Sequence, residues 1–399
     1  MNREPIDVLI SGGGVAGLTA AAAFGTAGFS VICVDPAPPV TAESDAGADM
    51  RTTALLRPSI SVLRAAGLWE RLAPYAAPLQ IMRIIDAGGA EPVARLTRDF
   101  DARDISDEPF GWNLPNWLLR RELLARLADL PNVSFRPGVA SRNVVTREAG
   151  AVVTLSDATQ VTARLLIGAD GRNSSVREAL GIGVRATRYG QKALAFAVTH
   201  PIAHNNVSTE IHRAGGPFTL VPLPDRDGIP SSAVIWMERG AEAERLAALP
   251  TAAFEAAMFE RSTGILGPLT LATRRSVWPM MCQIADRFIG QRSALMAEAA
   301  HVIPPIGAQG LNMSIADLGC LLDLAQKTPG DLGSGDMLAH YQRRRWPEVK
   351  ARVTGIDLLN RASMVSARPL RDMRAGVLGA LYSLGPVRRG LMKAGLGAR

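Results

Sequence analysis

The chain has 399 residues, of which 47% are apolar and 20% charged, so it can bury a large core in two domains and is not disordered throughout. Its three cysteines, Cys33, Cys282 and Cys320, are far apart, which argues against a disulfide framework or a zinc site. The first residues lack the pattern of a signal peptide, and no apolar run is long enough to cross a bilayer, so we expect a cytoplasmic protein.

The net charge of +7 is unevenly distributed. From Tyr341 to Arg399 there are thirteen Lys/Arg and three Asp/Glu, a balance of +10 that leaves −3 for the other 340 residues. Such a basic stretch is typical of a solvated helical surface or of a surface that contacts anionic lipid. It lacks the interleaving of basic and aromatic residues that stacks nucleic-acid bases, so we expect no nucleic-acid partner.

The first 35 residues have the pattern of a β-α-β unit. Ile6–Ile10 is a short β-branched run, Val15–Phe24 is an alanine-rich helix candidate, and Ser30–Val34 is a second buried strand. The turn between the first strand and the helix reads SGGGVAG. Its G-x-G-x-x-G spacing is typical of dinucleotide-binding turns.

The three glycines of this spacing have different physical roles in the predicted site. Gly12 permits the turn, Gly14 lets the backbone approach a pyrophosphate, and Gly17, after Ala16, lets helix and strand pack closely. Asp35 ends the second strand, where an acid accepts both hydroxyls of an adenosine ribose. The pattern predicts dinucleotide binding without separating FAD from NAD, and its alternative is a glycine-rich turn with a surface aspartate.

The rest of the chain alternates between helix-rich and strand-rich segments. Further elements predicted in chain order are a helix over Thr53–Leu68 with Pro58 at its start or at a kink, short strands within 78–98, a helix over Leu118–Leu130, and strands at Val133–Phe135, Val144–Leu155 and Leu165–Gly168. Residues from about 180 to 275 predict a mainly antiparallel sheet, with a helix over Ala252–Ser262. A strand and loop then precede a helix over Leu311–Gln326 and a helical tail from Leu338, with breaks at Pro347, Pro369 and Pro386.

Asp170 and Gly171 follow the strand Leu165–Gly168, in the stretch LIGADGRNSSVREALG. An acid at the end of a buried strand points towards a crevice shared with neighbouring strand ends. The alternative is that Asp170 caps the helix that follows.

Three motifs together carry a resemblance to a known family. GGGVAG with its following Asp, LIGADGRNSSVR and AEAAHVIPPIGAQGLNMSIAD, in this order, resemble the FAD-dependent aromatic-ring monooxygenases of the para-hydroxybenzoate hydroxylase superfamily. The subgroup that the chain resembles most is the UbiH-type hydroxylases of ubiquinone biosynthesis. The resemblance extends over the whole chain.

The resemblance and the element pattern together predict an α/β fold. We expect a Rossmann-like FAD-binding domain in discontinuous segments (1–77, 100–180 and 276–340), an inserted and mainly antiparallel β substrate domain (78–99 and 181–275), and a helical basic C-terminal region (341–399). The stretch FTLVPLP, residues 218–224, is a candidate wall of the substrate pocket.

The resemblance also implies roles for individual residues. In the family, positions matching Gly12, Gly14 and Gly17 hold the FAD pyrophosphate, and the position of Asp35 holds the ribose. The positions that reach the FAD phosphates, the ribityl chain and the nicotinamide donor match Arg51, Arg120, Asp170 and Gly171. The residues expected to pass beside the isoalloxazine ring are Pro305, Gly307, Gly310, Leu311 and Asn312.

The predicted helix that begins near Gly310 would suit flavin binding for a physical reason that does not depend on the resemblance. Free N–H groups at a helix N-terminus stabilise the anion of reduced flavin. The alternative is a plain strand-loop-helix connector. We expect His301 to order this loop by hydrogen bonding rather than to act as a base. The chain departs from the family at Ala297-Glu298, where Gly-Asp is usual. Glu298 keeps the acceptor for the ribityl chain, while Ala297 narrows the space nearby.

The reaction implied by the resemblance is ring hydroxylation with O2 and NAD(P)H through a C4a-hydroperoxyflavin. The expected substrate is an electron-rich aromatic, a polyprenyl phenol of ubiquinone biosynthesis, with no metal and no assigned catalytic base. The alternatives are hydroxylation of a small aromatic in degradation and an accessory subunit of a quinone-biosynthesis complex that binds its cofactor weakly. The basic C-terminal region is a candidate for peripheral contact with the inner face of the membrane or with such a complex.

Overall fold

The computed structural model describes residues 5–89, 91, 93–213, 215–364, 382 and 385–396. The strands in chain order are β1 (Ile6–Ser11), β2 (Val31–Asp35), β3 (Thr52–Leu56), β4 (Ala77–Leu79), β5 (Ile81–Asp86), β6 (Leu96–Asp101), β7 (Gly111–Pro115), β8 (Val133–Pro137), β9 (Ser141–Arg147), β10 (Gly150–Leu155), β11 (Gln160–Gly168), β12 (Val184–Thr199), β13 (Val207–His212), β14 (Pro217–Arg226), β15 (Ile229–Arg239), β16 (Thr270–Leu271), β17 (Ser276–Ala285), β18 (Ile289–Gly290), β19 (Ser293–Leu295) and β20 (His301–Val302).

The α-helices in the described ranges are α1 (Val15–Thr26), α2 (Arg57–Ala65), α3 (Trp69–Leu72), α4 (Asn116–Ala128), α5 (Ser175–Ala179), α6 (Gly240–Ala248), α7 (Thr251–Arg261), α8 (Gln309–Lys327), α9 (Gly335–Met364) and α10 (Gly385–Leu396). Short 3-10 turns lie at Ala73–Tyr75, Ala102–Asp104, Ala297–Ala299 and Pro329–Asp331. Among the described residues, no helix combines the length and the apolar character needed to span a membrane.

The first sheet has the order β18-β19-β11-β1-β2-β8, and β10 and β9 extend it beside β11. Its centre is parallel, because β1 pairs in parallel with β11 and with β2. Val8, Leu9 and Ile10 of β1 are fully buried, as expected for a strand covered on both faces. The ends of β1, β2 and β11 meet at one edge, where Ser11 pairs with Val34 and with Gly168.

The second sheet has the order β20-β17-β12-β15-β14-β13-β5-β6 with β16 beside β12. All its pairs are antiparallel except β13 with β5, which confirms the predicted mainly antiparallel sheet. One face packs against α6 and α7 through Phe196, Phe218, Trp236 and Phe254. The sheet includes β17 and β20, which lie beyond residue 275, and the domain boundaries stay a prediction.

Three predicted elements are wrong. The predicted strand over Val144–Leu155 is a hairpin of β9 and β10, which pair antiparallel across a turn at residues 148–149. The predicted helix over Thr53–Leu68 is strand β3 followed by α2, which begins at Arg57 with Pro58 in its first turn. A proline suits the first turn of a helix, where its missing N–H would have no partner, and this explains why α2 begins here.

Pro347 does not break the helix, because α9 continues through it from Gly335 to Met364. The helix buries Tyr341, Arg345, Val349 and Val353 on one side, and this packing outweighs the one lost backbone hydrogen bond. Pro386 lies in the first turn of α10, whereas Pro369 is outside the described residues.

Candidate functional site

The turn after β1 needs its three glycines for different reasons. Gly12 has φ +118°, and a Cβ there would lie 2.3 Å from the carbonyl oxygen of Ala169. A Cβ on Gly17 would lie 1.8 Å from the carbonyl oxygen of Gly12. Gly14 is the N-cap of α1 with an ordinary φ of −69°, and its Cβ would meet no atom within 4 Å. The space before the first turn of α1, which includes half-buried Ala16, is therefore open and suits a phosphate.

Asp35 lies beside this turn at the end of β2. Its Oδ2 accepts a hydrogen bond from the Gly13 N–H at 2.5 Å, and its Oδ1 accepts one from Ala37 N at 2.9 Å. A Cβ on Gly13 would lie 2.7 Å from the Asp35 Cβ, so the turn and the acid are in direct contact. The structure thus brings the predicted ribose acid to the glycine turn.

Asp170 lies next to the same turn, because its backbone nitrogen is 2.8 Å from where a Cβ of Gly12 would be. Its carboxylate accepts hydrogen bonds from the Ser174 hydroxyl and, at 3.1 Å each, from the Ser175 hydroxyl and the Val176 N–H. These bonds cap α5, which is the alternative role considered for this residue. Gly171 follows with φ +84°, a left-handed conformation that glycine adopts without strain.

Arg51 and Arg120 meet at Asp49, a buried residue that the sequence analysis did not identify. Arg51 donates to both Asp49 oxygens, at 2.9 and 2.7 Å, and Asn116 donates to one at 3.0 Å. The Arg120 guanidinium lies 3.8 Å from the same carboxylate. Burial raises the pKa of Asp49, but the hydrogen bonds and charge of Arg51 outweigh burial and hold it below its ordinary value. In the sequence, Asp49 stands two residues before Arg51, a predicted site residue, and this spacing was the signal from which Asp49 could have been found.

Arg51 also links Asp49 to the second sheet. Its guanidinium lies 4.2 Å over the Trp278 ring. Burial lowers the pKa of Arg51, but Asp49 and then the charge of Glu298 raise it above its ordinary value. Glu298 is 43% exposed and lies 3.4 Å from Arg172 Nε. Arg51, Arg120, Arg172 and Glu298 thus form one charged group, called here the arginine group.

Arg177 is a second residue that the sequence analysis missed. It is buried, and it donates to the carbonyl oxygens of Ala299 and Arg172 at 2.9 Å each. Burial lowers its pKa, with the charges of Asp170 and Glu178 acting in the opposite direction. Arg177 therefore ties the turn that carries Glu298 to the loop that carries Arg172.

His301 is buried and orders its loop, as predicted. Its Nε2 lies 2.6 Å from Asp317 Oδ2, and Arg345 Nε donates to Asp317 Oδ1 at 2.8 Å. Burial raises the pKa of Asp317, but the charges of His301 and Arg345 outweigh burial and hold it below its ordinary value. Glu298 and His301 are therefore not a catalytic pair, because the histidine is engaged in the interior.

Residues 304–308 form a loop and residues 309–312 the first turn of α8, and the whole stretch is called here the 304–312 loop. Its Pro305 is exposed, Gly307 has φ +63°, a Cβ on Gly310 would be in open space, and Leu311 is half-buried. Asn312 makes four side-chain hydrogen bonds, with Leu56 N (2.8 Å), Ser59 Oγ (2.7 Å), Ala54 O (2.7 Å) and Ala308 O (2.6 Å). Its side chain thus fixes the start of α8 against β3 and α2.

Among the described residues, no group of three or more His, Cys, Asp or Glu side chains is placed to hold a metal ion. His212 Nε2 lies 2.8 Å from Glu210 Oε1.

Comparison with known proteins identifies the family. Residues 5–355 match the FAD binding domain family. The chain belongs to this family. It is 33% identical over 395 residues to "Ubiquinone hydroxylase UbiL" of Rhodospirillum rubrum, over 98% of this chain and 89% of that protein. It is 27% identical to the 3-demethoxyubiquinol 3-hydroxylase of Escherichia coli over the full length of both.

Solved structures share the fold of this flavoprotein. PqsL of Pseudomonas aeruginosa, described as a probable FAD-dependent monooxygenase, superposes with a TM-score of 0.79 over 94% of this chain and all of that one, at 24% identity. The p-nitrophenol 4-monooxygenase PnpA of Pseudomonas putida gives 0.79 at 18% identity over the full length of both. The predicted α/β fold, the family and FAD as cofactor are confirmed, and the chain is a flavin-dependent monooxygenase of the aromatic-hydroxylase class.

Two observations on the flavoprotein fit FAD. Gly14 has no side chain, and no protein atom lies within 4 Å of where its Cβ would be, so the space beside it is open. Arg120 Nε is buried and has no hydrogen-bond partner among the described residues, which suits an anionic ligand. The glycine turn and the arginine group are also connected, since Asp170 lies beside Gly12 and Arg172, two residues further on, contacts Glu298.

The departure at Ala297 has a structural cost in the flavoprotein. Ala297 has φ +55°, a left-handed conformation that glycine adopts freely and that costs an L-residue about 1–2 kcal/mol. The residue is also buried, so the methyl group occupies space beside Glu298. Ala308, at the N-cap of α8, has the same strain, with φ +55°.

Proposed function

We propose that the flavoprotein hydroxylates the electron-rich ring of a polyprenyl phenol in ubiquinone biosynthesis, using O2 and NAD(P)H. Bound FAD would supply the electron transfer from the nicotinamide donor and the activation of O2. The observation that carries the proposal is a small-residue face of the second sheet, turned towards the arginine group. The full-length likeness to ubiquinone hydroxylases supports the choice of substrate.

This face, called here the alanine face, consists of Ala193, Ala195, Ala197, Ala233 and Trp278. Cross-strand pairing places Ala193 beside Trp278 and Ala197 beside Ala233, and side chains directly opposite one another share a face. Trp278 contacts Arg51, so this face is turned towards the proposed cofactor site. The four alanines are at most 7% exposed, and their apolar side chains would keep water away from the reacting atoms of a ring bound against this face.

Of residues 218–224, the predicted wall of the substrate pocket, only alternate residues lie on the alanine face. Phe218 and Leu220 point into the core shared with α6 and α7. Thr219 lies opposite Ile235 and Val221 opposite Ala233, so these two belong to the alanine face. We propose Thr219 and Val221 as wall residues of the substrate pocket.

The proposed FAD site runs from the glycine turn to α8. Gly12, Gly14, Ala16 and Gly17 would hold the pyrophosphate at the start of α1, with Asp35 on the ribose. Arg51, Arg120 and Glu298 would contact the phosphates and the ribityl chain, with Asp170 and Gly171 beside them. The N-terminus of α8, with Pro305, Gly307, Gly310, Leu311 and Asn312, would stabilise negative charge on the isoalloxazine ring.

We also propose peripheral contact between the basic C-terminal region and the inner face of the membrane. Leu358 and Leu359 of α9 are 63% and 59% exposed, beside exposed Arg361. Exposed leucines in a region of net positive charge suit a surface of anionic lipid, although Arg361 itself pairs with Asp357 at 2.9 Å. Such contact would bring the enzyme to an apolar substrate. We expect sedimentation with anionic vesicles that decreases as salt rises, whereas sedimentation with neutral vesicles alone would contradict the proposal.

The function itself is tested by quinone analysis of a strain that lacks the gene. We expect accumulation of an under-hydroxylated polyprenyl phenol and its disappearance when the wild-type gene is restored. A normal quinone content would contradict the proposed substrate and favour a small aromatic. A purified protein that takes up no FAD would contradict the enzyme assignment and favour an accessory subunit.

A further inference from the structure

Helix α10 is seated against the elements that hold the 304–312 loop. Met392 is 7% exposed and packs with Leu56 and Phe110, and Leu56 is the strand residue whose N–H is bound by Asn312. Arg388 of the same helix pairs with Asp104 at 3.1 Å. The C-terminal helix therefore lies next to the start of α8 and is held there by apolar contact and one ion pair.

Gln309, the first residue of α8, joins three elements through one buried side chain. Its Nε2 donates to Gly307 O at 2.9 Å, within the loop, and to Gly395 O at 2.8 Å, in α10. Its Oε1 accepts from Arg352 of α9 at 2.9 Å. Both polar atoms of the amide are therefore engaged, and the three hydrogen bonds join three different parts of the chain.

The α9 side of this junction is held firmly. Arg352 lies 3.4 Å from Glu348, which pairs with Arg345 at 2.6 Å, and Arg345 is bound to buried Asp317. Gln309 is thus anchored to α9 through a chain of charged contacts. The contact with α10 depends on a single neutral hydrogen bond, so it is the contact that responds when α10 shifts.

We infer that Gln309 is a positioning residue that couples the seating of α10 to the geometry of the 304–312 loop, and through it to FAD affinity. When α10 is seated, the amide is held in the orientation that also binds Gly307 O. When α10 leaves, that orientation is lost and the loop relaxes. The inference rests on the proposed placement of FAD beside this loop.

The coupling is tested by a double-mutant cycle on the full chain. Met392→Asp puts a charge into the apolar seat of α10, and Gln309→Ala removes the link. Arg389→Asp, on an exposed position of the same helix, is the matched control. The FAD dissociation constant of each refolded apoprotein is measured by flavin fluorescence, with circular dichroism to verify folding.

We expect Met392→Asp to weaken FAD binding about 2- to 10-fold in the wild-type background, the size of one neutral hydrogen bond, and to have no further effect in Gln309→Ala. Arg389→Asp should leave the constant unchanged. Gln309→Glu keeps the acceptor for Arg352 but loses the donor to Gly395 O, so it should remove the coupling as alanine does. Additive effects of Met392→Asp and Gln309→Ala would overturn the inference.

A second measurement uses the reciprocity of coupled equilibria. If α10 seating favours FAD, FAD must favour the seated helix, so amide hydrogen exchange in residues 385–396 should slow when FAD is added. The slowing should be absent in Gln309→Ala. Unchanged exchange in a wild-type protein that binds FAD overturns the inference alone. A wild-type protein that takes up no FAD overturns the proposed function with it.

Discussion

Replacement of Gly14 by alanine should separate cofactor binding from folding. The added Cβ meets no atom of the protein within 4 Å, and φ of −69° with ψ of 174° is open to any residue. Alanine gains about 0.4–1 kcal/mol by restricting the unfolded chain and loses a similar amount as a poorer N-cap. The free energy of unfolding of the apoprotein should therefore change by less than about 1 kcal/mol.

The same methyl group lies where the pyrophosphate must approach the start of α1. A hydrogen bond from a backbone N–H to a charged group contributes about 1.5–3 kcal/mol, and about 1.4 kcal/mol is a factor of ten in affinity. Loss of one such bond should weaken FAD binding about 10- to 100-fold. The measurement is a titration of the apoprotein with FAD, followed by flavin fluorescence, beside urea unfolding without FAD.

Gly17→Ala is the matched control, because its Cβ would lie 1.8 Å from the Gly12 carbonyl oxygen. It should destabilise the apoprotein itself, by at least the 1–3 kcal/mol typical of overpacking. The reasoning is refuted if Gly14→Ala binds FAD with wild-type affinity, or if it destabilises the apoprotein as much as Gly17→Ala does.

Three further predictions concern the charged groups. Asp317→Ala should lower the free energy of unfolding by about 3 kcal/mol or more, because buried Arg345 keeps only Glu348 as a carboxylate partner and buried His301 loses its partner. Urea unfolding measures this, and a change below about 1 kcal/mol would contradict it. The folded-state pKa of Asp317 lies below the ordinary 3.8, so its stabilisation is complete above about pH 4 and is lost as the pH falls through the folded value. Asp317→Asn should therefore flatten the acid limb of a stability–pH titration, whereas an unchanged limb would count against this assignment. Glu298→Gln should weaken FAD binding about 3- to 10-fold with unfolding unchanged, since the Glu298 side chain is 43% exposed; equal FAD affinity would exclude Glu298 from the site.

The elements near the N-terminus followed directly from the sequence. The apolar run at β1, the alanine-rich α1 and the G-x-G-x-x-G spacing each depend on residues close together in the chain, and the structure has them with bounds within two residues of prediction. The helix over Thr53–Leu68 failed because β3 is stabilised by pairing with β7, about sixty residues away. A pairing partner so far along the chain cannot be recognised from a local sequence pattern, and pairing with it outweighs local helix propensity.

The charged centre of the site was decided by the tertiary structure alone. The sequence identified Arg51 and Arg120 only through resemblance. Asp49 stands two residues before Arg51 in the chain, but only the fold brings Arg120 to the same carboxylate. The sequence predicted that His301 orders its loop, but it did not identify the partner of the histidine. The fold supplies that partner, because α8 and α9 bring Asp317 and Arg345 to the histidine and leave Glu298 beside Arg172. Short-range periodicity and turn chemistry determine elements, whereas ionic partners depend on which distant elements pack together, and only the folded chain brings those charges within reach.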